Sequence, residues 1–192
     1  MIAILDYNAG NIKSVQNALN RLGFESVITN NKSILKAADK VIIPGVGEAS
    51  SAMKFLKEKE LDKLIPRLEQ PVLGICLGLQ LFCATSEEGN TKCLEIFKNQ
   101  VKLFPTHDII PHMGWNNCHK VDGTLMKGIS KTHDFYFVHS YYAKLSSNTA
   151  SVCDYILPFS ATLEKNNFFA TQFHPEKSGV VGITLLKNFL AL

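Results

Sequence analysis

The first half of the chain alternates short, largely apolar runs with segments whose apolar residues recur every three or four positions. The apolar runs are bounded by turn-forming residues and are typical of buried strands; they cover residues 1–7, 25–30, 40–45 and 71–75. Helical periodicity is clearest from Asn11 to Gly23, where one face carries Ile12, Val15, Ala18, Leu19 and Leu22. Further helices are predicted from about Ala49, just before Pro66, and over 77–89. This alternation predicts a parallel sheet with helices on both faces.

The second half has a different pattern, with strand-like segments close together. These segments cover residues 101–104, 112–121, 134–145 and 150–157, and a hairpin is predicted over 160–174 around a polar centre at 165–167. The segment 178–192 predicts a final helix with Ile183, Leu186, Phe189 and Leu190 facing inward. The sequence therefore predicts one α/β domain over residues 1–192, with a mostly parallel central sheet flanked by helices and an antiparallel extension in the C-terminal half.

Composition narrows the function classes. The chain has 192 residues and a formal net charge of +3, from 20 basic and 17 acidic residues, which is too mild to indicate nucleic-acid binding. Five cysteines without a CxxC pair predict neither a disulfide framework nor a metal site, and reduced thiols fit a cytoplasmic protein. The N-terminal residues predict no signal peptide and no membrane span.

One cysteine lies in a distinctive setting. Gly74-Ile75-Cys76-Leu77-Gly78 is a G-x-C-x-G pattern at a predicted strand-to-helix turn, the cysteine form of a nucleophile elbow. Glycines two positions away allow the strand and the helix to approach closely. A helix N-terminus favours the reactive thiolate and directs the Leu77 N–H towards an oxyanion formed beside the sulfur.

The plain alternative is a buried structural thiol, because free cysteine is among the most buried residue types. Cys83, Cys93, Cys118 and Cys153 lack the elbow pattern and are interpreted in this way. For Cys76, the decision depends on finding a base elsewhere in the chain.

His174 and Glu176, in the segment QFHPEKSG, supply a candidate base and its orienting carboxylate. Residues i and i+2 of an extended segment share a face, so the carboxylate can hold the imidazole in one tautomer. The remaining histidines lack this pairing in the sequence and are interpreted as structural; they are His107, His112, His119, His133 and His139.

A glycine-rich turn, PGVG at 44–47, follows the third predicted strand. Its spacing departs from the dinucleotide-binding fingerprint, so no nucleotide cofactor is predicted. At the C-terminal edge of a parallel sheet, such a turn can present a second backbone N–H to an oxyanion.

Taken together, these motifs resemble those of the class I glutamine amidotransferases, and more narrowly those of the glutaminase subunits of imidazole glycerol phosphate synthases. The resemblance covers essentially the whole chain; its motifs are DYNAGN (6–11), PGVG (44–47), GICLGLQ (74–80), PHMGWN (111–116), YFVHSY (136–141) and QFHPEKSG (172–179).

The resemblance implies a role for each matching residue. Cys76 would attack the side-chain amide of glutamine, with His174 as base and Glu176 as its orienting residue. Leu77, Val46 and Gly47 would supply the oxyanion donors, and Gln80, Ser140 and Tyr141 would bind glutamine. No metal and no cofactor are implied.

The resemblance also implies a partner, a separate (β/α)8 cyclase subunit that would form a heterodimer with this chain and receive the ammonia. A barrel of that kind takes about 250 residues, more than this chain contains. Residues matching the family's interface positions are Asn8, Asn11, Met113, Trp115, Tyr136 and Lys177. Trp115 in a turn-rich segment favours a contact surface over core packing, and Lys177 is either an interface residue or a solvated lysine.

Two other destinations for the ammonia remain open at this point. The glutaminase of pyridoxal phosphate synthase is a similar type of protein, and some glutaminases serve enzymes that amidate surface sugars. A non-enzymatic subunit is disfavoured because Cys76, His174 and Glu176 are all present. The glycines around Val46 suggest a further hypothesis, in which the turn holds its N–H away until the partner binds.

Overall fold

A computed structural model describes residues 1–106 and 108–192. The first half contains β1 (Ile2–Leu5), α1 (Ile12–Arg21), β2 (Ser26–Thr29), α2 (Lys32–Ala37), β3 (Lys40–Ile43), α3 (Ala49–Glu58), α4 (Leu61–Leu64), β4 (Val72–Ile75) and α5 (Leu77–Phe82). All four predicted strands are confirmed. Helix α2 was not predicted, because six residues are too few to show a helical period; the Asn31 side chain caps it by accepting from the N–H groups of Ser33 and Ile34.

Helix α5 is shorter than the sequence predicts, because it ends at Phe82 instead of continuing to 89. The segment after Lys92 folds back on it: the N–H of Leu94 donates to the Leu81 carbonyl and that of Phe97 to the Phe82 carbonyl, both at 2.9 Å. These tertiary hydrogen bonds satisfy carbonyls that a longer helix would use. Two short strands follow instead, β5 (Thr85–Ser86) and β6 (Thr91–Lys92).

The second half is mainly β structure, as predicted. It contains β7 (Gln100–Leu103), β8 (His112–Asn117), β9 (Lys120–Val121), β10 (Asp134–His139), β11 (Tyr141–Ala143), β12 (Thr149–Asp154), β13 (Pro158–Lys165), β14 (Phe168–Thr171) and α6 (Gly179–Leu190). The predicted hairpin is the antiparallel pair β13–β14.

One eight-stranded sheet organises the protein, in the order β2-β1-β3-β4-β14-β13-β12-β9. The first five strands in this order are parallel: β2, β1, β3, β4 and β14. The last three add an antiparallel extension: β13, β12 and β9. The predicted fold class is therefore confirmed. Because β14 pairs with β4, the last strand of the chain ends beside the strand that precedes Cys76.

Apolar side chains pack on both faces of this sheet. In β1, Ala3 and Leu5 point into one core, whereas Ile2 and Ile4 point into the other. Helix α6 covers the second core with Leu186 and Phe189, as predicted, and with Leu185. The prediction for Ile183 is wrong: this residue is 36% exposed, because the buried face of α6 is formed by Gly182, Leu185, Leu186 and Phe189.

A separate two-stranded sheet, β8–β10, is called the ribbon below. Its side chains alternate between two faces, as antiparallel strands require. The inner face buries His112, Phe137 and His139, and the outer face carries Met113, Trp115 and Tyr136. In the parts of the chain that the structure describes, no helix has the length and apolarity needed to cross a membrane.

Candidate active site

Cys76 lies on a strained turn between β4 and α5, with φ 54° and ψ −102°. The two flanking glycines are required for close packing: a Cβ on Gly74 would lie 2.7 Å from the Gly78 backbone, and one on Gly78 would lie 2.0 Å from the Ile43 carbonyl oxygen. The turn thus has the shape of a nucleophile elbow. Since α5 has only six residues, the turn geometry defines this site better than a helix dipole does.

Three adjacent parallel strands bring the predicted motifs together. Strand β3 leads into the turn Pro44–Gly47, β4 leads to Cys76, and β14 leads to His174. The N–H of Cys76 donates to the Thr171 carbonyl at 2.7 Å, which ties the elbow to β14. The carboxyl ends of parallel neighbours meet at one edge of the sheet, where ligands bind in folds of this type.

His174 and Glu176 are in direct contact, with Nδ1 and Oε1 2.7 Å apart. Both side chains are fully buried. The contact arises differently from the sequence argument: Glu176 lies in a 3-10 turn over Pro175–Lys177, not in an extended segment. The tight turn brings the carboxylate back towards the imidazole of the residue at its start.

Burial lowers the pKa of His174, but the Cys76 thiolate and the Glu176 carboxylate raise it more, to about 10. Cys76 therefore acts on His174 electrostatically, although His174 Nε2 has no hydrogen-bond partner among the described residues. Such an arrangement favours the imidazolium form of His174. Nε2 remains available for a substrate atom.

Asn11 approaches this pair from the start of α1. Its Nδ2 donates to Glu176 Oε1 and lies 3.2 Å from His174 Nδ1. The sequence assigned Asn11 to the partner interface, but its side chain faces the Glu176 carboxylate. A left-handed backbone, with φ 74°, turns the side chain in this direction.

The sulfur of Cys76 has two hydrogen-bond neighbours among the described residues. The thiol is 3.9 Å from the Val138 carbonyl, and Gln172 Nε2 donates to the sulfur at 3.7 Å. Gln172 is fully buried and was not singled out in the sequence. The available signal was its position directly after β14, two residues before His174.

Gln80 lies one helical turn after Cys76 and is also buried. Its Nε2 donates to the Tyr141 carbonyl at 3.2 Å and to Gln172 Oε1 at 3.4 Å. A carbonyl only accepts, so the Tyr141 contact requires that the nitrogen of the Gln80 amide, not its oxygen, faces Tyr141. Gln80 can therefore offer only its oxygen to a ligand.

A pocket of about 300 Å³ opens beside the elbow. The lining residues predicted from the sequence are Cys76, Leu77, Gln80, Val46, Gly47, Ser140 and Tyr141. Glu88 also lines the pocket and was not predicted; burial raises the pKa of its carboxyl group, which accepts from the Ala49 N–H at 2.7 Å. A larger groove of about 490 Å³, lined mainly by lysine and glutamate side chains near α2 and α4, contains none of the predicted site residues.

The predicted oxyanion donors are partly occupied. The N–H of Leu77 donates to the Gly45 carbonyl at 3.3 Å, which corrects the expectation that it faces the pocket freely. The Val46 carbonyl accepts from the Gly10 N–H, also at 3.3 Å. Gly47 has φ 135°, a conformation that other residues rarely adopt. The conformation of the Pro44–Gly47 turn therefore determines whether the two predicted donor N–H groups can face the pocket.

Four of the predicted interface residues form one surface group, in which only Tyr136 is half-buried. Trp115 and Met113 are 59% and 62% exposed. The Tyr136 ring packs edge-on against Trp115, with centroids 5.9 Å apart. Lys177 Nζ lies 5.8 Å from the centre of the Tyr136 ring. Trp115 is on β8, within the strand-like segment predicted over 112–121, and Asn8 is exposed but far from this group in the sequence.

Comparison with known proteins identifies the class. The sequence model described as glutamine amidotransferase class-I matches residues 3–192. This chain belongs to the class-I glutamine amidotransferase family.

Relatives of the chain are more specific. The imidazole glycerol phosphate synthase subunit HisH of Bacteroides fragilis (strain YCH46) is 57% identical over 194 residues, covering 100% of this chain and 99% of the relative. The subunit of the same name from Bacteroides thetaiotaomicron is 55% identical with the same coverage. That from Photorhabdus laumondii is 46% identical over 199 residues, again covering 100% and 99%.

Solved structures support the fold. A crystal structure of a glutamine amidotransferase has a TM-score of 0.76 at 18% identity and covers 99% of this chain and 97% of that chain. The structure of a putative GMP synthase protein from Thermoplasma acidophilum also has a TM-score of 0.76, at 19% identity, and covers 99% and 92%.

Proposed function

We propose that this chain is the glutaminase subunit of an imidazole glycerol phosphate synthase, which acts in histidine biosynthesis. It hydrolyses glutamine to glutamate and ammonia, and residues 1–192 act as one amidotransferase domain. The observation that carries the proposal is the buried contact between His174 and Glu176 beside Cys76, in a chain 57% identical along its length to such a subunit.

Cys76, His174 and Glu176 perform the chemistry. The Cys76 thiolate attacks the side-chain amide carbon of glutamine, and the imidazolium of His174 gives its proton to the departing ammonia. The resulting thioester is attacked by water, with His174 taking a proton from that water, and the imidazolium and the Cys76 thiolate are restored as glutamate leaves. Glu176, 2.7 Å from Nδ1, keeps Nε2 directed at the reacting atoms.

The pocket beside Cys76 binds the rest of the substrate. Gln80 offers its side-chain oxygen, and the Ser140–Tyr141 backbone holds the far end of glutamine. Glu88 lines the same pocket and supplies a negative charge for the α-ammonium group.

The oxyanion donors are completed by a rearrangement of the Pro44–Gly47 turn. Releasing the Gly45 carbonyl from Leu77 frees one N–H, and turning the Val46–Gly47 peptide away from Gly10 directs a second towards the pocket. Losing one such donor costs about 10²–10³ in rate, so this turn can hold the free subunit nearly inactive.

The partner is a (β/α)8 cyclase subunit, which uses the ammonia to form imidazole glycerol phosphate and an aminoimidazole carboxamide ribotide; the assembled heterodimer is a lyase. The surface formed by Met113, Trp115, Tyr136 and Lys177 is its docking site, and Asn8 is a further contact outside this group. A cytoplasmic location is supported by the five free thiols, which an oxidising compartment tends to pair. Neither pyridoxal phosphate synthesis nor surface-sugar amidation is favoured by a feature of the site.

The test is to copurify the chain with the cyclase subunit of the same organism and to measure product formed from glutamine and from added ammonium. Cys76→Ala should lower glutamine-dependent synthesis by at least about 10⁴-fold, as expected for loss of a nucleophile, and leave ammonium-dependent synthesis within about twofold. Cys93→Ala, at another buried thiol, serves as the control. Comparable glutamine turnover by Cys76→Ala would refute the site, and glutamine hydrolysis without product in the wild type would refute the proposed acceptor.

A further inference from the structure

The inner face of the ribbon contains a second buried histidine arrangement that the proposed chemistry does not use. His112 on β8 and His139 on β10 lie directly opposite each other in the strand register. His112 Nδ1 and His139 Nε2 are 2.9 Å apart. The two side chains are only 3% and 5% exposed, so they form a contact inside the protein next to the pocket.

The hydrogen bonds at both ends of the pair determine where its protons lie. His139 Nδ1 is 2.8 Å from the Tyr141 carbonyl, which can only accept, so this nitrogen carries a proton. In the neutral ring, His139 Nε2 then accepts from His112 Nδ1–H. His112 Nε2 is left as an acceptor, and it faces Asn116 Nδ2 at 3.3 Å.

The orientation of Asn116 is fixed independently. Its Nδ2 also donates to the Asp154 carbonyl at 2.9 Å, so the amide cannot be turned around. A proton added to either imidazole would place two donors face to face at one of these hydrogen bonds. Both rings are therefore neutral with the proton on Nδ1, and burial lowers the pKa of His112 to about 4 and of His139 to about 3.

The surroundings of the pair are aromatic. The His112 ring stacks on Tyr155 with centroids 4.1 Å apart, and Phe104 and Phe159 pack against His139 at 5.3 and 5.1 Å. Phenylalanine in place of either histidine would preserve this packing without the hydrogen bonds. The feature that packing leaves unexplained is the donor that reaches the Tyr141 carbonyl.

That carbonyl has two acceptor positions, and both are occupied from within the protein. His139 Nδ1–H fills one and Gln80 Nε2–H fills the other, at 2.8 and 3.2 Å. The neighbouring Ser140 carbonyl accepts from the Phe104 N–H at 3.0 Å. The peptide groups that line the pocket here are thus held in one orientation.

We propose that His139, oriented by His112, is a positioning residue that fixes the Ser140–Tyr141 backbone for glutamine binding. The inference rests on the proposed function for its substrate, but the hydrogen-bond chain can be measured without any substrate. The outer face of the same ribbon carries Trp115 and Tyr136 of the proposed docking surface.

The first experiment measures the imidazole nitrogen shifts of the wild-type chain by ¹⁵N NMR at pH 7. His112 and His139 should both show a protonated Nδ1 and an unprotonated Nε2. His119 and His133, which are exposed, serve as references. An Nε2–H tautomer or an imidazolium at either buried position would overturn the proposal, whatever the enzyme proves to hydrolyse.

The second experiment compares His139→Asn with His139→Leu in the complex with the cyclase subunit. The two replacements have the same branched shape, but asparagine keeps a nitrogen donor one atom beyond Cγ, where His Nδ1 lies. His139→Leu should raise KM for glutamine about tenfold, the usual effect of losing a buried hydrogen bond, with a smaller change in kcat. His139→Asn should stay within about threefold of wild type.

Equal KM values for the two variants would overturn the proposal, since the donor would then be irrelevant. His119→Leu repeats the leucine change at an exposed position and should leave KM unchanged. If His139→Leu does not fold, His112→Asn and His112→Leu supply the same comparison one step further along the chain. A wild-type complex that hydrolyses no glutamine would refute the proposed function, while the NMR result would still decide the positioning of Tyr141.

Discussion

His174 and His139 are both buried histidines. They are close together, and His174 contributes to the lowered pKa of His139. Burial lowers the pKa of both. Around His174, the Cys76 thiolate and Glu176 reverse that effect and raise the pKa to about 10. Around His139, burial dominates over its hydrogen bond to the Tyr141 carbonyl, and the pKa falls to about 3.

The difference shows that the partners, not the depth of burial, decide what a buried histidine does. Anionic partners make His174 a cation that can deliver a proton, whereas a carbonyl and a second imidazole keep His139 neutral and directional. One arrangement suits proton transfer and the other suits positioning.

Replacing the anionic partner of His174 should have the largest effect. Glu176→Gln keeps the shape but removes the charge, so the pKa of His174 should fall and kcat for glutamine should drop by about 10⁴-fold. The measurements are ¹⁵N NMR titration of His174 and steady-state kinetics of the complex. Glu95→Gln, at an exposed carboxylate, is the matched control. A kcat within threefold of wild type would show that Glu176 does not orient the base.

Lowering the pH should destabilise the protein through His112 and His139. Because the folded-state pKa values of His112 and His139 lie below the unfolded value of about 6.5, their stabilisation is complete above that pH and is lost as pH falls towards 4 and then 3. The free energy of unfolding should decrease by about 1.4 kcal/mol per pH unit from His139 alone, with a further decrease from His112.

Denaturant titrations at intervals between pH 6.5 and 5 would measure that slope. The double variant His112→Asn/His139→Asn should have a shallower slope, whereas His133→Asn should not. His174 contributes in the other direction: its stabilisation is present below pH 6.5 and is lost as pH rises through 10. An unchanged acid slope in the double variant would contradict the neutral pair.

The two faces of the ribbon should also respond differently. Trp115→Ala on the outer face should weaken association with the cyclase subunit by about 2 kcal/mol, roughly 30-fold, if it is a binding hot spot. The subunit itself should remain folded, since this side chain is 59% exposed. Analytical ultracentrifugation would measure the affinity, with Phe24→Ala, another exposed aromatic, as control. Unchanged affinity would place the docking surface elsewhere.

Gln172 should give the smallest effect. Gln172→Met removes the N–H that faces the Cys76 sulfur and should lower both kcat and the rate of alkylation by a glutamine-mimicking reagent about tenfold, the scale of a hydrogen bond to a charged group. Gln172→Glu keeps an acceptor for Gln80 but places a carboxylate near the thiolate, so it should be slower still. Normal alkylation of Gln172→Met would show that its contact with the sulfur has no catalytic importance.

Several features of this protein follow from sequence alone, because they depend on residues that are close together in the chain. The elbow at Cys76 needs only the two glycines around it and a strand-to-helix turn. The contact between His174 and Glu176 is also local, and the apolar runs determine the strands whose carboxyl ends meet at the site. The role of Cys76 as nucleophile remains a prediction until it is tested.

Tertiary structure decided the features that depend on register between distant segments. His112 and His139 are 27 positions apart and meet only because β8 and β10 pair in one register. Gln172 reaches Cys76 only because β14 lies beside β4, and the Leu77 N–H is occupied only because the Gly45 carbonyl approaches it. Sequence patterns specify which face of an element is apolar, but a hydrogen bond between two such elements depends on how they are placed in space, and that is determined only when the whole chain has packed.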